Sequence, residues 1–314
     1  VTGAAELGQG DTVTGFMSMA GSTSGGALLI TTRNRINVLY GNDSSDWTLV
    51  NYAEEAGALP YSLQQVGLTM MLDDRGVTSL QTSQAYGNFS HATLSRKIQD
   101  WVNGERTKIK ASCLVRDKNQ YRLFFADKYA LYVTMEGNKV RGMMPQLFVD
   151  TVDCIDSSED SDGTEVIFFG SSDGMVYQLE RGTSFDGDAI EYYLHLVWNP
   201  LKSPRQRKRF RHAMLEVSGD GYAEFNVRAE LGYGTTDIDQ PGNSAIVTSF
   251  SAGTWDNGTY DVGVWDGITL TPSEFSLEGT AENLSLVIQG SSDYFVAHTL
   301  SGAIIHYSPR RAMR

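Results

Sequence analysis

Cysteine is nearly absent: Cys113 and Cys154 are the only two among 314 residues. Two thiols cannot build a disulfide framework or a four-cysteine metal site, so both are expected as reduced core residues in their apolar-flavoured segments. Proline is scarce too, 7 against 32 glycines, which suggests many tight turns and few stiff linkers. Basic residues are in deficit, 25 against 38 acidic, for a net charge of -13. Such a chain repels polyanions and gains nothing from counterion release, which excludes a general nucleic-acid binder. No apolar run approaches the roughly 18 residues needed to span a bilayer, and the opening VTGAAELGQGDTV lacks the basic and apolar regions of a signal peptide. A soluble protein without an export signal is expected. The start at Val1 rather than Met fits either a processed product or the later part of a longer polypeptide.

Catalytic signatures are also missing. No HExxH, GxSxG, phosphate-binding loop or GxGxxG after a strand is present, and His91, His195, His212, His298 and His306 are scattered singly. The tetrapeptide GSSD occurs twice, at Gly170 to Asp173 and Gly290 to Asp293, where Ser and Asp side chains serve turns. The expectation is no enzyme, no cofactor and no metal.

What the chain does contain is a recurring sentence. EVIFFGSSDGMVYQLER, Glu165 to Arg181, reads as strand, turn and strand, with Gly174 where the chain reverses. Similar hairpins occupy Ala27 to Tyr40, Thr69 to Gln81, Tyr121 to Val133 and Tyr294 to Tyr307. The first four turns fall near Asn34, Arg75, Asp127 and Asp173, a step of roughly 40 to 50 residues, as propeller blades require. A lone hairpin cannot bury both faces, whereas similar sheets stacked around an axis can. Further strands are expected in GFMSMA, in Trp47 to Ala53 and in Thr107 to Arg116, where Ile109, Ala111, Cys113 and Val115 alternate. In SHATLSRKIQDWVN, Leu94, Ile98, Trp101 and Val102 fall at helical spacing behind Ser90 as an amino cap.

The rhythm then breaks. From about Pro204 to Gln289 the strands lengthen, with FRHAMLEVSGDGYAEFNVRAEL giving a strand, an SGDG turn and a strand. The fold class expected is all-β: propeller-like blades over 1–200, possible as part of a larger propeller, and a β-sandwich-like or jelly-roll-like domain over 201–314, appended or inserted. The last hairpin, 290–309, either completes that domain or returns to the propeller. The boundary falls near Pro200 and Pro204.

Three features could carry binding. Lys202, Arg205, Arg207, Lys208, Arg209 and Arg211 crowd one short run, a docking patch for phosphate or an acidic partner, or else a solvated edge that blocks unwanted pairing. In Asp153 to Glu165, Asp160, Asp162, Gly163 and Glu165 match a calcium loop poorly, and a soluble hairpin loop explains them better. Aromatics near strand ends, among them Tyr40, Trp47, Tyr132, Tyr177 and Trp198, suit packing between sheets or a sugar-binding or protein-binding surface.

The hairpins ALLITTRNRINVLYG and TMMLDDRGVTSLQ, the stretches NYAEEAGALPYSLQQVG and YGNFSHATLSRKIQDWV, then FFADKYALYV, FFGSSDGMVYQL and the terminal SSDYFVAHTLSGAIIHYSPRR resemble the tail nozzle, or DNA-stabilisation (tail tubular), proteins of short-tailed bacteriophages. That resemblance covers about two-thirds of the chain through motifs of low specificity. It implies a structural virion component, made in the host cytoplasm, that forms a homo-oligomeric ring or tube retaining and conducting the genome. Its partners would be an adaptor, a tail fibre or spike, neighbouring copies of itself, and viral DNA passing without specific binding. An acidic lining would let the phosphate backbone slide. The alternatives are a carbohydrate- or receptor-binding β module, with Trp and Tyr on one exposed face of the second domain, and a propeller glycosidase. The sequence has no Asp-box repeat to encourage the latter.

Overall fold

In the first half of the chain the expected hairpins are present, and the strand between two neighbouring cores explains why. The computed structural model describes residues 10–19, 27–41, 45–80, 93–219, 222–249, 271–291 and 298–312. The fold is all-β, with 60% of the described residues in strands and 7% in helices. Two compact units divide between Arg181 and Gly182.

The first unit is a series of antiparallel meanders. β1 (Val13–Ser18), β2 (Ala27–Thr32), β3 (Arg35–Tyr40) and β4 (Thr48–Glu54) form one sheet in chain order. β5 (Gln64–Val66), β6 (Leu68–Asp73) and β7 (Gly76–Ser79) form a second. A 3-10 turn at Arg96–Ile98 and helix α1 (Gln99–Glu105) follow, as the helical spacing predicts; the proposed cap Ser90 lies outside the described residues. β8 (Ile109–Val115), β9 (Gln120–Phe125), β10 (Tyr129–Glu136) and β11 (Lys139–Leu147) make the third sheet, and β12 (Cys154–Glu159), β13 (Glu165–Gly170) and β14 (Val176–Gln178) the fourth.

Each sheet packs on the next through alternate side chains. On β6, Met71 joins Leu29, Ile36 and Val38 of the first sheet. Its neighbours Met70 and Leu72 point the other way, to Tyr121, Leu123, Phe125, Leu131 and Val133 of the third. Trp101 of α1 closes that core edge-on against Phe125 and Tyr129, at 5.8 and 6.0 Å. On the reverse side of the third sheet, Phe124, Phe148 and Phe169 form a chain of edge-to-face rings, 5.8 and 6.3 Å apart, that reaches the fourth sheet. A period of two turned to opposite faces makes this stacking possible. Between the first two sheets the chain passes so close to the β2–β3 turn that a side chain on Gly57 would lie 2.1 Å from the Arg33 carbonyl oxygen, while the next residue, Ala58, donates its N–H to Thr32 O. Among the described residues the stack does not close on itself.

The second unit begins with the two-stranded pair β15 (Ser184–Phe185) and β16 (Asp188–Ala189). β17 (Glu191–His195), β22 (Leu284–Ser291), β19 (Tyr222–Leu231) and β20 (Ser244–Ser249) form one sheet in that spatial order, and β21 (Thr271–Ala281), β18 (Gln206–Gly219) and β23 (His298–Ala312) another. Their inner faces share one core, including Phe210, Leu215, Phe225, Val227, Phe275 and Leu286. The prolines found inside strands, Pro145, Pro272 and Pro309, all lie on edge strands, where a missing N–H breaks no ladder.

Several expectations change. The boundary lies near residue 181 rather than 200, because β17 pairs with β22. The strands flanking the SGDG segment do not pair with each other; each joins a different sheet across the core. Ser301 and Gly302 form no hairpin turn. β23 runs through them for 15 residues with a register shift opposite Glu216 and Val217, and pairs with β18, so this segment stays in the second unit. Cys113 is buried as expected, whereas Cys154 is exposed at the start of β12.

Candidate functional site

Five of the six basic residues singled out in the sequence are exposed, and Lys208 is buried. Along β18 the side chains alternate, so Arg207 and Arg209 face solvent while Lys208, 1% exposed, and Phe210 turn inward. Arg211 is exposed by the same alternation, and a register shift between Phe210 and His212 then turns Ala213, Leu215 and Val217 inward instead. The Lys208 ammonium donates to the backbone carbonyls of Ser203, Gln206 and Glu282 at 2.6, 2.9 and 2.9 Å. Burial lowers its pKa from the ordinary lysine value, and the nearby Glu282 charge works in the opposite direction. Lys208 is therefore a fastener that ties the 203–206 loop to the β21–β22 connection. Lys202, Arg205, Arg209 and Arg211 are exposed and form no ion pair among the described residues; Arg207 stands 4.0 Å from Glu282.

The acidic segment is a tight hairpin. Asp160 and Thr164 close its tip by the bond from Asp160 N–H to Thr164 O, with Gly163 at a φ of 76°. Glu165 turns away to accept the Arg116 and Asp117 N–H groups, each at 3.0 Å, and the Asp156 and Asp160 carboxylates each accept the following N–H. No group of three or more acidic, His or Cys side chains positioned for a metal occurs among the described residues.

In the first unit, Tyr61, Gln64, Lys110, Ser112, Asp153 and Cys154 line an open cleft of about 550 Å³. The Lys110 ammonium pairs with Asp153 at 2.9 Å, and the Gln64 amide donates to Ser112 O and Oγ, both at 3.1 Å. Four of its polar groups are thus bonded in two pairs. Behind it, burial pushes the Cys113 thiol up to about 11, which keeps it protonated and unreactive at neutral pH.

Aromatic residues separate into two roles. Tyr132 is buried, with the Arg122 guanidinium 4.1 Å above its ring, and Tyr177 stacks on Phe169 at 5.1 Å. Tyr40 and Trp47 are partly exposed on the first sheet. Trp198 belongs to a row of rings in the second unit. Tyr193 and His195 project from the outer face of edge strand β17, Trp198 follows, and Tyr233 joins from the turn after β19, with ring separations of 6.3, 6.3 and 5.4 Å. The signal for it was the spacing of two between Tyr193 and His195 together with the Gly-Tyr-Gly triplet at 232–234.

The turn that supports Tyr233 is built with care. Tyr233 holds a left-handed backbone, φ 61° and ψ 27°, between two glycines that also have positive φ. Buried Asn283 accepts the Tyr233 N–H at 3.1 Å through its side-chain oxygen and the Gly232 N–H at 3.4 Å through its backbone. Gln240 closes the other side, accepting from Leu231 N–H at 2.7 Å and donating to Leu231 O and Thr235 O at 3.0 and 2.9 Å. Polar groups flank the rings. Arg228 donates to Glu230 at 2.5 Å, His195 lies 3.5 Å from the other Glu230 oxygen, and exposed Asn226 and Gln289 occupy the same sheet face beside Tyr193. The other histidines serve elsewhere: His298 stacks on Phe225 and meets the Tyr192 hydroxyl at 3.0 Å, and His212 and His306 face each other at 4.2 Å; His91 lies outside the described residues.

Compared with known proteins, the chain matches no family model, and no curated protein matches it significantly.

Proposed function

We propose that this chain is a structural component of a short-tailed phage tail, of the nozzle or DNA-stabilisation kind, in which the meander sheets of the first unit are propeller-like blades and the second unit is a β-sandwich. One observation carries the reading: successive sheets rest on one another in chain order, the inner ones giving alternate side chains to opposite faces, which is how blades hide both faces. The net charge of -13 suits a conduit wall that DNA slides past without being held. Neighbouring copies would complete a ring, with an adaptor and a fibre or spike as further partners in the virion.

Electron microscopy and light scattering of the purified chain at high concentration test this. A hollow ring supports it, and a strictly monomeric particle overturns it. A carbohydrate- or receptor-binding reading is favoured by a different observation, the exposed aromatic row of the second unit. The two readings are compatible, since a tail component meets surface polymers.

A further inference from the structure

We infer that the outer face of the second unit, built on Tyr193, His195, Trp198 and Tyr233, is a binding site for a neutral oligosaccharide. The inference does not depend on the tail assignment.

Three observations converge. Tyr193 and Tyr233 are 62% and 72% exposed, and each adjoins a further ring, so the row offers extended aromatic surface to solvent rather than scattered single side chains. Large amphipathic rings of this kind contribute most where a ligand has both an apolar face and polar edges. A pyranose is such a ligand, with C–H groups on its flat face and hydroxyls around its rim. Second, the rim has its counterpart in the protein: Asn226 and Gln289 carry both donors and acceptors, and beside the rings Arg228 donates to Glu230, whose other oxygen lies 3.5 Å from His195. A purely apolar partner would leave these groups desolvated.

Third, the Tyr233 ring is held outward at the expense of its own backbone. A tyrosine in the left-handed region is strained by about 1 kcal/mol or more, and the turn is fixed in that form by Asn283 from below and Gln240 from the side. Packing does not require the ring there, since it is mostly in water. Strain maintained at an exposed aromatic is what a preorganised binding group needs. Gly234, at positive φ, lies beside the site: a Cβ on it would stand 3.7 Å from the Glu230 carboxylate and 3.8 Å from the edge of the Trp198 ring. The sign of the ligand follows from the chain's net charge of -13, which opposes uronic-acid and sulfated polymers at long range.

The test is titration of the full chain with cellohexaose and with chitohexaose, read by calorimetry and by the indole N–H signals in NMR, with hexagalacturonate as the anionic control. At least one neutral hexasaccharide should bind and shift the Trp198 signal, identified by its loss in Trp198→Phe. Trp198→Ala and Tyr233→Ala should each weaken that binding about tenfold or more, while Tyr61→Ala, an exposed tyrosine of the first unit, should leave it unchanged. Tyr233→Gly guards against misfolding as an explanation: glycine accepts the positive φ, so the second unit stays folded while binding falls. Absence of binding to both neutral probes at millimolar concentration, preference for hexagalacturonate, or binding that survives both alanine variants would overturn the site. None of these outcomes bears on ring assembly, which microscopy reads separately.

Discussion

Met70 and Met71 are neighbours on β6 and belong to different cores, whereas Phe225, Val227, Ala229 and Leu231 of β19 all face the same one. The two units thus solve one problem in opposite ways. In the first, inner sheets are hydrophobic on both faces and each core is shared with a neighbour in sequence, so contacts are short-range along the chain. In the second, two sheets enclose one core between them, strands that follow each other in sequence enter different sheets except for the paired β19 and β20, and the outer faces carry polar and aromatic groups. The lesson is where function can sit. A stack spends its faces on packing; a two-sheet layer keeps one face of each sheet available.

The comparison is tested most strongly by cavities. Phe225→Ala empties the centre of the single core and should cost about 3–5 kcal/mol, with loss of hydrogen-exchange protection throughout β18, β19, β21 and β22. Met71→Ala should cost about 2–5 kcal/mol, yet its loss of protection should stay with the first and second sheets, leaving β9 and β10 less affected. Equal spread of the two effects would remove the distinction between shared and separate cores.

Next in size is the ion pair that joins the third sheet to the residues after β14. Arg122, 1% exposed, binds Glu180, which also meets Lys118 at 2.7 Å. Burial raises the Glu180 carboxyl, but its bonds to Lys118 and Arg122 outweigh this and leave it below the ordinary value. Glu180→Gln leaves a buried guanidinium without its counter-charge and should destabilise the first unit by about 3 kcal/mol, the low end for a buried pair because Glu180 keeps some water contact. The sign of the pH effect is fixed by the depressed value: the stabilisation is full above the unfolded-state pKa and disappears as pH falls through the lower folded-state value. Acid titration of unfolding should therefore be shallower in Glu180→Gln than in the parent below about pH 4.5.

The first unit was largely legible in the sequence because its contacts follow chain order. The four hairpin turns near Asn34, Arg75, Asp127 and Asp173 and the alternation from Ile109 to Val115 are local patterns, and local pairing realises them. The second unit was legible only as strands. Partners such as β17 with β22 and β18 with β23 lie about 100 residues apart, and no local signal states them. Ser301 and Gly302 look like a turn and form a bulge instead, because β18 offers a continuous partner along the whole of β23. The candidate site shows the same division. The charge run was visible, but its inward member depends on strand parity, and the aromatic row depends on bringing Tyr233 beside Trp198 across the unit.

That parity supplies the finest test. Lys208 and Arg209 are adjacent cations in one run, and composition alone would give them one role. Lys208→Met keeps the aliphatic stem but removes the donor that satisfies three carbonyls, so it should cost about 2 kcal/mol and raise exchange at the connection between β21 and β22. Arg209→Ala, one residue later and exposed, should change stability by no more than about 0.5 kcal/mol. If a partner reads the basic run by charge, Arg209→Ala, Arg205→Ala and Arg211→Ala should weaken that association and reduce its salt dependence, while Lys208→Met affects it only to the extent that the second unit loosens. A loss of association from Lys208→Met at unchanged stability would mean that its ammonium leaves the three carbonyls to meet the partner, and the inward and outward faces of β18 would no longer divide the run.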